Sequence, residues 1–256
     1  MSDHDAACRA DRRPPHIVPA EWRLADGTTL RGQQTGRGDA RLILLHEPGR
    51  DLDAWGDLPL LLAARSFAVE TIDLPGHGLS DGPWQPDALP ALVRSLVRCD
   101  GATMSGAEPE GLDATFRAAG LHRPVDAQES ARTATYLLAA GDSADAALAA
   151  AADGGVDGLV LLSPTPDAAA NRRRSGVPKL IVTGSQAGAA RRATTALAQE
   201  AGGWTMLSTI PEAAGGTALV AGDWGDQVQE QIVTFLRDCQ VRWRSAVPTP
   251  DGGRQR

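Results

Sequence analysis

Short, mainly apolar runs recur along the chain and predict strands that are buried on both faces. They lie at Leu42–Leu45, Ala68–Ile72, Thr135–Ala140, Leu159–Leu162, Leu180–Val182 and Met206–Ile210. A strand that is apolar at nearly every position is typical of a parallel sheet covered by helices on both sides. We therefore predict that these six strands run parallel in one sheet.

Alanine-rich or amphipathic segments separate these runs and predict helices. They lie at Leu58–Arg65, Ala144–Ala152, Ala189–Ala201 and Asp226–Arg237. An antiparallel hairpin is expected before the first buried strand, because Glu21–Leu24 and Thr28–Gln34 flank the turn-forming pair Asp26–Gly27. Alternation of strand and helix predicts an α/β fold with right-handed crossovers.

The length of the chain suits a single domain. It has 256 residues, of which 42% are hydrophobic and 22% are charged, and single α/β domains commonly reach ~200–250 residues. We place this domain at residues 17–240. Residues 1–16 form the N-terminal tail and residues 241–256 the C-terminal tail. Residues 1–16 and 246–256 are polar and rich in Pro, Gly and Arg, so we predict that they are disordered.

Charge and composition exclude several function classes. A net charge of −7 and a pI near 5.2 argue against nucleic-acid binding, which needs a basic surface. We interpret the arginine clusters at 172–174 and 191–192 as solvated surface. No apolar run approaches the ~20 residues that span a bilayer. A membrane partner is therefore not expected.

The three cysteines are odd in number and far apart, at Cys8, Cys99 and Cys239. This pattern indicates free thiols in a reducing compartment rather than a disulfide framework. No histidine lies at ligand spacing to them, so no metal site is predicted. The N-terminal residues lack the apolar segment of a signal peptide, and no glycine-rich phosphate loop is present. We expect a soluble cytoplasmic protein without a cofactor.

The segment Arg41–Asp81 has a strand ending in His46, a helix, and a second strand followed by D-x-x-G-H-G-x-S-D. It resembles the first half of an α/β-hydrolase, and the resemblance extends from about Trp22 to Cys239. It implies an α/β-hydrolase fold with a mostly parallel central sheet. The connection Ser163–Pro178 is too short for a large cap domain, whereas residues 84–134 form an insertion before the nucleophile strand, in which Pro90–Arg98 and Gly111–Gly120 are possible helices.

The resemblance implies that Ser143 holds the nucleophile position. Gly141-Asp142-Ser143-Ala144-Asp145 follows a predicted strand and resembles the G-x-S-x-G elbow, which exposes the serine above the sheet. The backbone N–H of Ala144 would then serve the oxyanion. Asp145 replaces the last glycine and brings an unfavourable negative charge near that oxyanion. Alternatively, Asp142 and Ser143 cap the following helix.

The other two members of a catalytic triad are missing where the resemblance places them. The segment 211–219 resembles P-x-x-x-H-G-T-x-L, with Gly215 in the place of the histidine base. No histidine follows Arg123, so His122 in the insertion is the remaining candidate base. Ala187 stands near the position of the acid. Asp167, after an earlier strand, is either a substitute acid or a turn residue.

The loop after the first buried strand is altered as well. The family reads H-G-x there, and this chain reads His46-Glu47-Pro48. Pro48 has no N–H to offer an oxyanion, so Gly49 supplies the donor only if the loop shifts by one residue. We expect His46 and His77 to anchor loops through their ring nitrogens. The predicted pocket is lined by His46, Glu47, Asp142, Asp145 and Gly215.

Two functions remain open at this stage. The chain is either a serine-hydrolase-like protein for an ester or related small molecule, with weak or no hydrolysis, or a non-catalytic pseudo-hydrolase. The second would bind a small molecule or a protein partner in the retained pocket, because open α/β sheets bind ligands at the carboxyl ends of their strands. The missing histidine favours the second hypothesis, since a serine without a base is a weak nucleophile.

Overall fold

The computed structural model describes residues 16–99, 103–104, 133–165, 175–186, 188–200 and 202–246. These residues form one sheet of nine strands. The strands are β1 Ile17–Arg23, β2 Thr29–Thr35, β3 Ala40–Leu45, β4 Phe67–Ile72, β5 Thr103–Met104, β6 Ala134–Ala140, β7 Gly158–Leu162, β8 Lys179–Gly184 and β9 Thr205–Ile210. Their order across the sheet is β5-β1-β2-β4-β3-β6-β7-β8-β9.

The predicted parallel core is confirmed. Strands β4, β3, β6, β7, β8 and β9 pair in parallel, and they contain the six apolar runs. The hairpin is confirmed too: β1 and β2 pair antiparallel across a turn at Asp26–Gly27. Gly27 has a φ of 89°, a left-handed conformation that glycine adopts without strain. The Asp26 carboxylate accepts the Thr28 N–H at 2.9 Å and closes the turn.

Helices cover both faces of the sheet, as predicted. The helices are α1 Leu58–Ala63, α2 Leu89–Arg98, α3 Ser143–Ala152, α4 Gly188–Glu200, α5 Ala218–Ala221 and α6 Gly225–Ala246, with short 3-10 turns at Leu52–Trp55 and Pro86–Ala88. One apolar core joins α2, α3 and α4 to one face, and a second joins α1, α5 and α6 to the other. Alternate strand residues supply the two cores, because successive side chains of a strand point to opposite faces.

The domain limits differ in detail from the expectation. Helix α6 continues to Ala246, beyond the predicted boundary at residue 240. Within the predicted insertion, α2 forms where Pro90–Arg98 was expected, and β5 pairs antiparallel with β1. The possible helix at Gly111–Gly120 lies outside the described residues. No helix in the described ranges is long and apolar enough to cross a membrane.

Candidate functional site

The sharp turn between β6 and α3 falls on a glycine. Gly141 follows the last residue of β6 and has a φ of 55°, whereas Asp142 already has helical backbone angles and Ser143 is the first residue of α3. The nucleophile of the family sits on this strained strand-to-helix turn. The residue at the turn is therefore Gly141, two positions before the predicted serine, and it has no side chain that could react.

Ser143 is placed differently from the expectation. The residue is completely buried, and its Oγ donates a hydrogen bond of 2.6 Å to the carbonyl oxygen of His46. The hydroxyl thus ties α3 to the end of β3 instead of facing the top of the sheet. The capping alternative is not found either, because the Asp142 side chain makes no cap hydrogen bond. Ala144 is also buried, and its N–H donates to Gly141 O at 3.1 Å.

The Glu47 side chain fills the space beside this turn. Its Oε1 accepts hydrogen bonds from the Thr217 hydroxyl at 2.8 Å and from the Thr217 N–H at 3.1 Å. A Cβ added to Gly141 would lie 2.8 Å from the Glu47 Cβ, and one added to Gly216 would lie 2.6 Å from Glu47 Oε1. Glycine at both positions is what allows the glutamate to lie between the β6–α3 turn and the start of α5.

Gly215, which the resemblance puts in the place of the histidine base, lies next to a serine. A Cβ on Gly215 would be 3.2 Å from the Ser163 Oγ. Ser163 follows β7 directly, has a φ of 48°, and is only 8% exposed. Its Oγ has no hydrogen-bond partner among the described residues. Sequence reasoning did not single out Ser163; its position between a buried strand and Pro164 is the signal that could have found it.

The oxyanion loop offers no free donor at the predicted positions. Pro48 has no N–H, and the Gly49 N–H donates to the Nε2 of His77 at 2.9 Å. A one-residue shift of the loop would therefore not supply an oxyanion donor, because the Gly49 N–H is already hydrogen-bonded to His77. An anion at this place would have to displace the His77 ring.

His46 and His77 anchor loops, as predicted. The His46 Nε2 accepts the Leu74 N–H at 3.0 Å, and its Nδ1 lies 2.9 Å from the Glu47 carbonyl oxygen. The His77 Nδ1 lies 3.0 Å from the Pro75 carbonyl oxygen. Burial lowers the pKa of His46. Both nitrogens of each ring are occupied, and neither histidine is placed to act as a base.

The D-x-x-G-H-G motif has a structural explanation. The Asp73 carboxylate accepts the N–H groups of Leu52 and Leu79 at 2.9 and 3.0 Å, which joins the loops after β3 and β4. Gly78 is required because a Cβ there would lie 1.9 Å from Asp73 Oδ2. In these contacts the motif holds the loops after β3 and β4 together.

The remaining predicted residues divide into two groups. Asp145 is half-buried on α3, where its Oδ2 accepts the Thr165 hydroxyl at 2.9 Å, and Asp142 is exposed. His122, Asp167 and Ala187 lie outside the described residues. The described part of the chain contains no group of three or more His, Cys, Asp or Glu side chains arranged to hold a metal ion.

The fold is similar to that of solved hydrolases. A dienelactone hydrolase from Anabaena variabilis matches with a TM-score of 0.66 and 15% identity, over 88% of this chain and 99% of that one. An esterase from Pyrococcus furiosus matches with 0.61 and 11%, over 90% and 96%. A putative α/β-hydrolase from Agrobacterium tumefaciens matches with 0.59 and 16%, over 91% and 100%.

No protein-family model matches the chain, and no curated protein matches its sequence. Identities of 11–16% with the solved structures establish the fold alone. The chain therefore has the α/β-hydrolase fold, as predicted from Arg41–Asp81, while its activity has to be argued from its own residues.

Proposed function

We propose that this chain is a non-hydrolytic protein of the α/β-hydrolase fold, which binds a small molecule or a protein partner instead of cleaving an ester. One observation carries the proposal: the turn that presents the nucleophile is Gly141, and the Glu47 side chain occupies the space beside it. Covalent catalysis needs a nucleophilic side chain at that turn. Neither Gly141 nor the buried Ser143 provides one.

The surroundings of the turn support the same conclusion. Gly215 offers no proton acceptor, and Glu47 brings a carboxylate to the place where an oxyanion would need donors. The members of a triad act as a unit, and losing one costs several orders of magnitude in kcat. Since nucleophile, base and one oxyanion donor are all replaced, hydrolysis by the family's mechanism has no route through the described residues.

Retention of a binding role is supported by Ser163. The buried Ser163 hydroxyl has no hydrogen-bond partner among the described residues, which is unfavourable by ~1–3 kcal/mol. Ser163 also has a left-handed backbone conformation. Such features persist where a site has a use for them. Ser163 lies beside the exposed Gly215 at the carboxyl ends of the strands, the edge where open α/β sheets bind ligands.

The proposal includes a cytoplasmic location. Cys239 is a buried free thiol in the structure. Thiols persist unpaired in a reducing compartment.

A fluorophosphonate probe tests the proposal directly, because it reacts only with an activated serine. The native full-length chain is expected to remain unlabelled under conditions in which an esterase of the same fold, such as that of Pyrococcus furiosus, is labelled completely. Peptide mass spectrometry would report any labelled serine.

Two matched variants make the result decisive. Stoichiometric labelling that disappears in Ser143→Ala would show that Ser143 becomes accessible and has a base, and it would refute the proposal. Labelling that disappears in Ser163→Ala would refute it equally, since Ser163 would then be a nucleophile. In either case, loss of labelling in His122→Ala would identify the base.

A further inference from the structure

Strand β9 ends the sheet on one side, and no described strand pairs with the outer backbone groups of β9. Within the described ranges it pairs only with β8. The carbonyl oxygens of Trp204 and Ile210 accept hydrogen bonds from the N–H groups of Lys179 and Ser185, at the two ends of β8. Backbone groups of alternate residues point to opposite sides of a strand, so the even-numbered residues of β9 bond to β8.

It follows that Thr205, Leu207 and Thr209 direct their N–H and C=O groups to the open edge. The edge also exposes apolar surface: Met206 is 41% exposed and Leu207 is 43% exposed. Natural edge strands are normally protected by charges, proline or a bulge. The six residues of β9, TMLSTI, contain no charge and no proline. Strand β9 therefore lacks the charged residues and prolines that normally prevent an edge strand from pairing with another strand.

Helix α4 presents two cations beside the same edge. Arg191 and Arg192 are exposed in its first turns, where they line a shallow groove with Thr195, Gln199 and Thr209. The N-terminus of a helix carries partial positive charge, so arginines there are at the unfavourable end of their own helix. They would be stabilised by the carbonyl groups at the C-terminus of another helix.

We propose that β9 is the interface for a second copy of this chain, with the two β9 strands paired antiparallel about a twofold axis at Leu207. In this register, Leu207 lies opposite Leu207 of the other copy, and Thr205 lies opposite Thr209. Each β9 residue whose N–H and C=O groups point outward then forms two backbone hydrogen bonds with the residue opposite it in the other copy. The result is one continuous sheet through the two subunits, in a closed isologous dimer.

The same twofold axis places the arginines at the start of α4 near the C-terminal end of α4 in the other copy. Leu207 pairs with Ile181 and Thr209 lies in the groove, so both are on the face of the sheet that α4 covers. Helix α4 connects the parallel strands β8 and β9 and therefore runs antiparallel to them. The arginines at its start lie near Thr209, and the twofold axis places them beside the C-terminal end of α4 in the other copy. This complementarity favours a second copy over an unrelated partner.

Disulfide cross-linking tests the register. In a background of Cys8→Ser and Cys99→Ser, Leu207→Cys is expected to form a covalent dimer rapidly on mild oxidation. The two residues of a hydrogen-bonded pair in an antiparallel sheet have Cα atoms ~5.5 Å apart, which is within the range of a disulfide. Met206→Cys is the matched control, because in this register Met206 lies opposite Ser208 of the other copy. The two introduced cysteines would therefore not be paired with each other. Equal cross-linking of the two variants would overturn the register and with it the proposal.

Sedimentation of the full-length chain over a wide concentration range tests the dimer itself. Wild type is expected to dimerise, Leu207→Lys to be a folded monomer, and Val241→Lys, which changes an exposed residue on α6, to dimerise like wild type. Arg191→Glu with Arg192→Glu is expected to raise the dimer dissociation constant roughly tenfold or more.

Other results of these experiments would overturn the proposed dimer. A wild-type chain that stays monomeric overturns the proposal. If the amides of Thr205, Leu207 and Thr209 are then protected from hydrogen exchange, another segment of the same chain covers the edge. A dimer that survives Leu207→Lys with unchanged affinity would show that the copies meet elsewhere. Should Leu207→Lys not fold, the cysteine pair still decides the question.

Discussion

The carboxylate of Glu47 accepts two hydrogen bonds from Thr217, one from its hydroxyl at 2.8 Å and one from its N–H at 3.1 Å. The two residues are 170 positions apart in the chain. Their contact joins the loop after β3 to the residue that precedes α5. It crosses the region in which the nucleophile and the base of a hydrolase would meet, so the two elements that would form an active site are bonded to each other.

We predict that Thr217→Val destabilises the chain by ~1–3 kcal/mol, because it removes a buried hydrogen bond to a charged group. The free energy of unfolding from urea titration is the measurement. Thr234→Val is the matched control, since Thr234 is exposed on α6, and its effect should stay within ~0.5 kcal/mol. Equal effects of the two changes would mean that the Glu47–Thr217 contact contributes nothing to stability.

Glu47 and Gly141 should be energetically coupled. Gly141→Ala adds a Cβ at 2.8 Å from the Glu47 Cβ and also forces alanine to a φ of 55°. The second effect alone costs ~1–2 kcal/mol. We expect Glu47→Gly to relieve the first effect, so the double variant should be more stable than the sum of the single changes by ~0.5–3 kcal/mol.

The control for this cycle is Gly154→Ala. Gly154 has a φ of 90° and open space where its Cβ would go, so the change adds strain without a contact. Additive behaviour of Gly154→Ala with Glu47→Gly is expected. Additive behaviour of Gly141→Ala as well would argue that Glu47 moves aside freely and does not fill the site.

Gly215→His alone should not produce hydrolysis. The imidazole would enter tightly, with its Cβ 3.2 Å from the Ser163 Oγ, and the turn residue Gly141 has no side chain for it to activate. General-base assistance is worth ~10²–10⁴-fold only if there is a nucleophile to assist. Turnover of an activated ester is expected to rise only when Glu47→Gly and Gly141→Ser accompany Gly215→His. A rise from the single change would reveal a nucleophile elsewhere, and Ser163→Ala would test whether it is Ser163.

Lys179, the only lysine of the chain, should titrate far below a free amine. It is fully buried, and its Nζ donates to the carbonyl oxygens of Ser175, Val177 and Gly202. Burial lowers the pKa of Lys179 to about 8 from 10.5. Because there is one lysine, ¹³C-lysine labelling gives a single side-chain resonance to follow. A midpoint near 10.5 in the folded protein would contradict the prediction.

The lowered pKa has a consequence for stability with a definite sign. Below about pH 8 the folded and unfolded states both carry the proton on Lys179. Between about 8 and 10.5 the unfolded state binds more protons, so this residue adds stability as the pH rises. Compared with Lys179→Met, wild type should gain stability across that window. A constant difference between the two would contradict the assigned shift.

The ionisation of Tyr136 can be followed by ultraviolet absorbance, since it is the only tyrosine of the chain. The residue is fully buried, its hydroxyl has no hydrogen-bond partner among the described residues, and burial raises its pKa. We expect no phenolate absorbance in the folded chain at the pH where free tyrosine ionises, ~10. The band should appear together with the loss of the circular dichroism signal. A phenolate in the folded protein would place Tyr136 in contact with water.

The order of strands and helices was readable from the sequence because it depends on local pattern. Apolar runs such as Leu42–Leu45 predicted buried parallel strands, and Asp26–Gly27 predicted the hairpin turn, as the structure confirms. The anchoring roles of His46 and His77 also followed from the resemblance. The absence of histidine after His122 is read directly from the sequence, and the assignment of Gly215 to the position of the histidine base stays a prediction from the resemblance.

The position of the turn and the use of Glu47 could be decided only in three dimensions. The spacing G-x-S indicated Ser143, yet the left-handed turn falls on Gly141, since glycine adopts a positive φ without the strain that a side chain brings. Glu47 and Thr217 meet because the loops that follow β3 and β9 leave the same edge of the parallel sheet, a relation that no local pattern encodes. Ser163 escaped notice because its burial depends on residues that are distant in the chain, and none of the described residues gives its hydroxyl a hydrogen-bond partner.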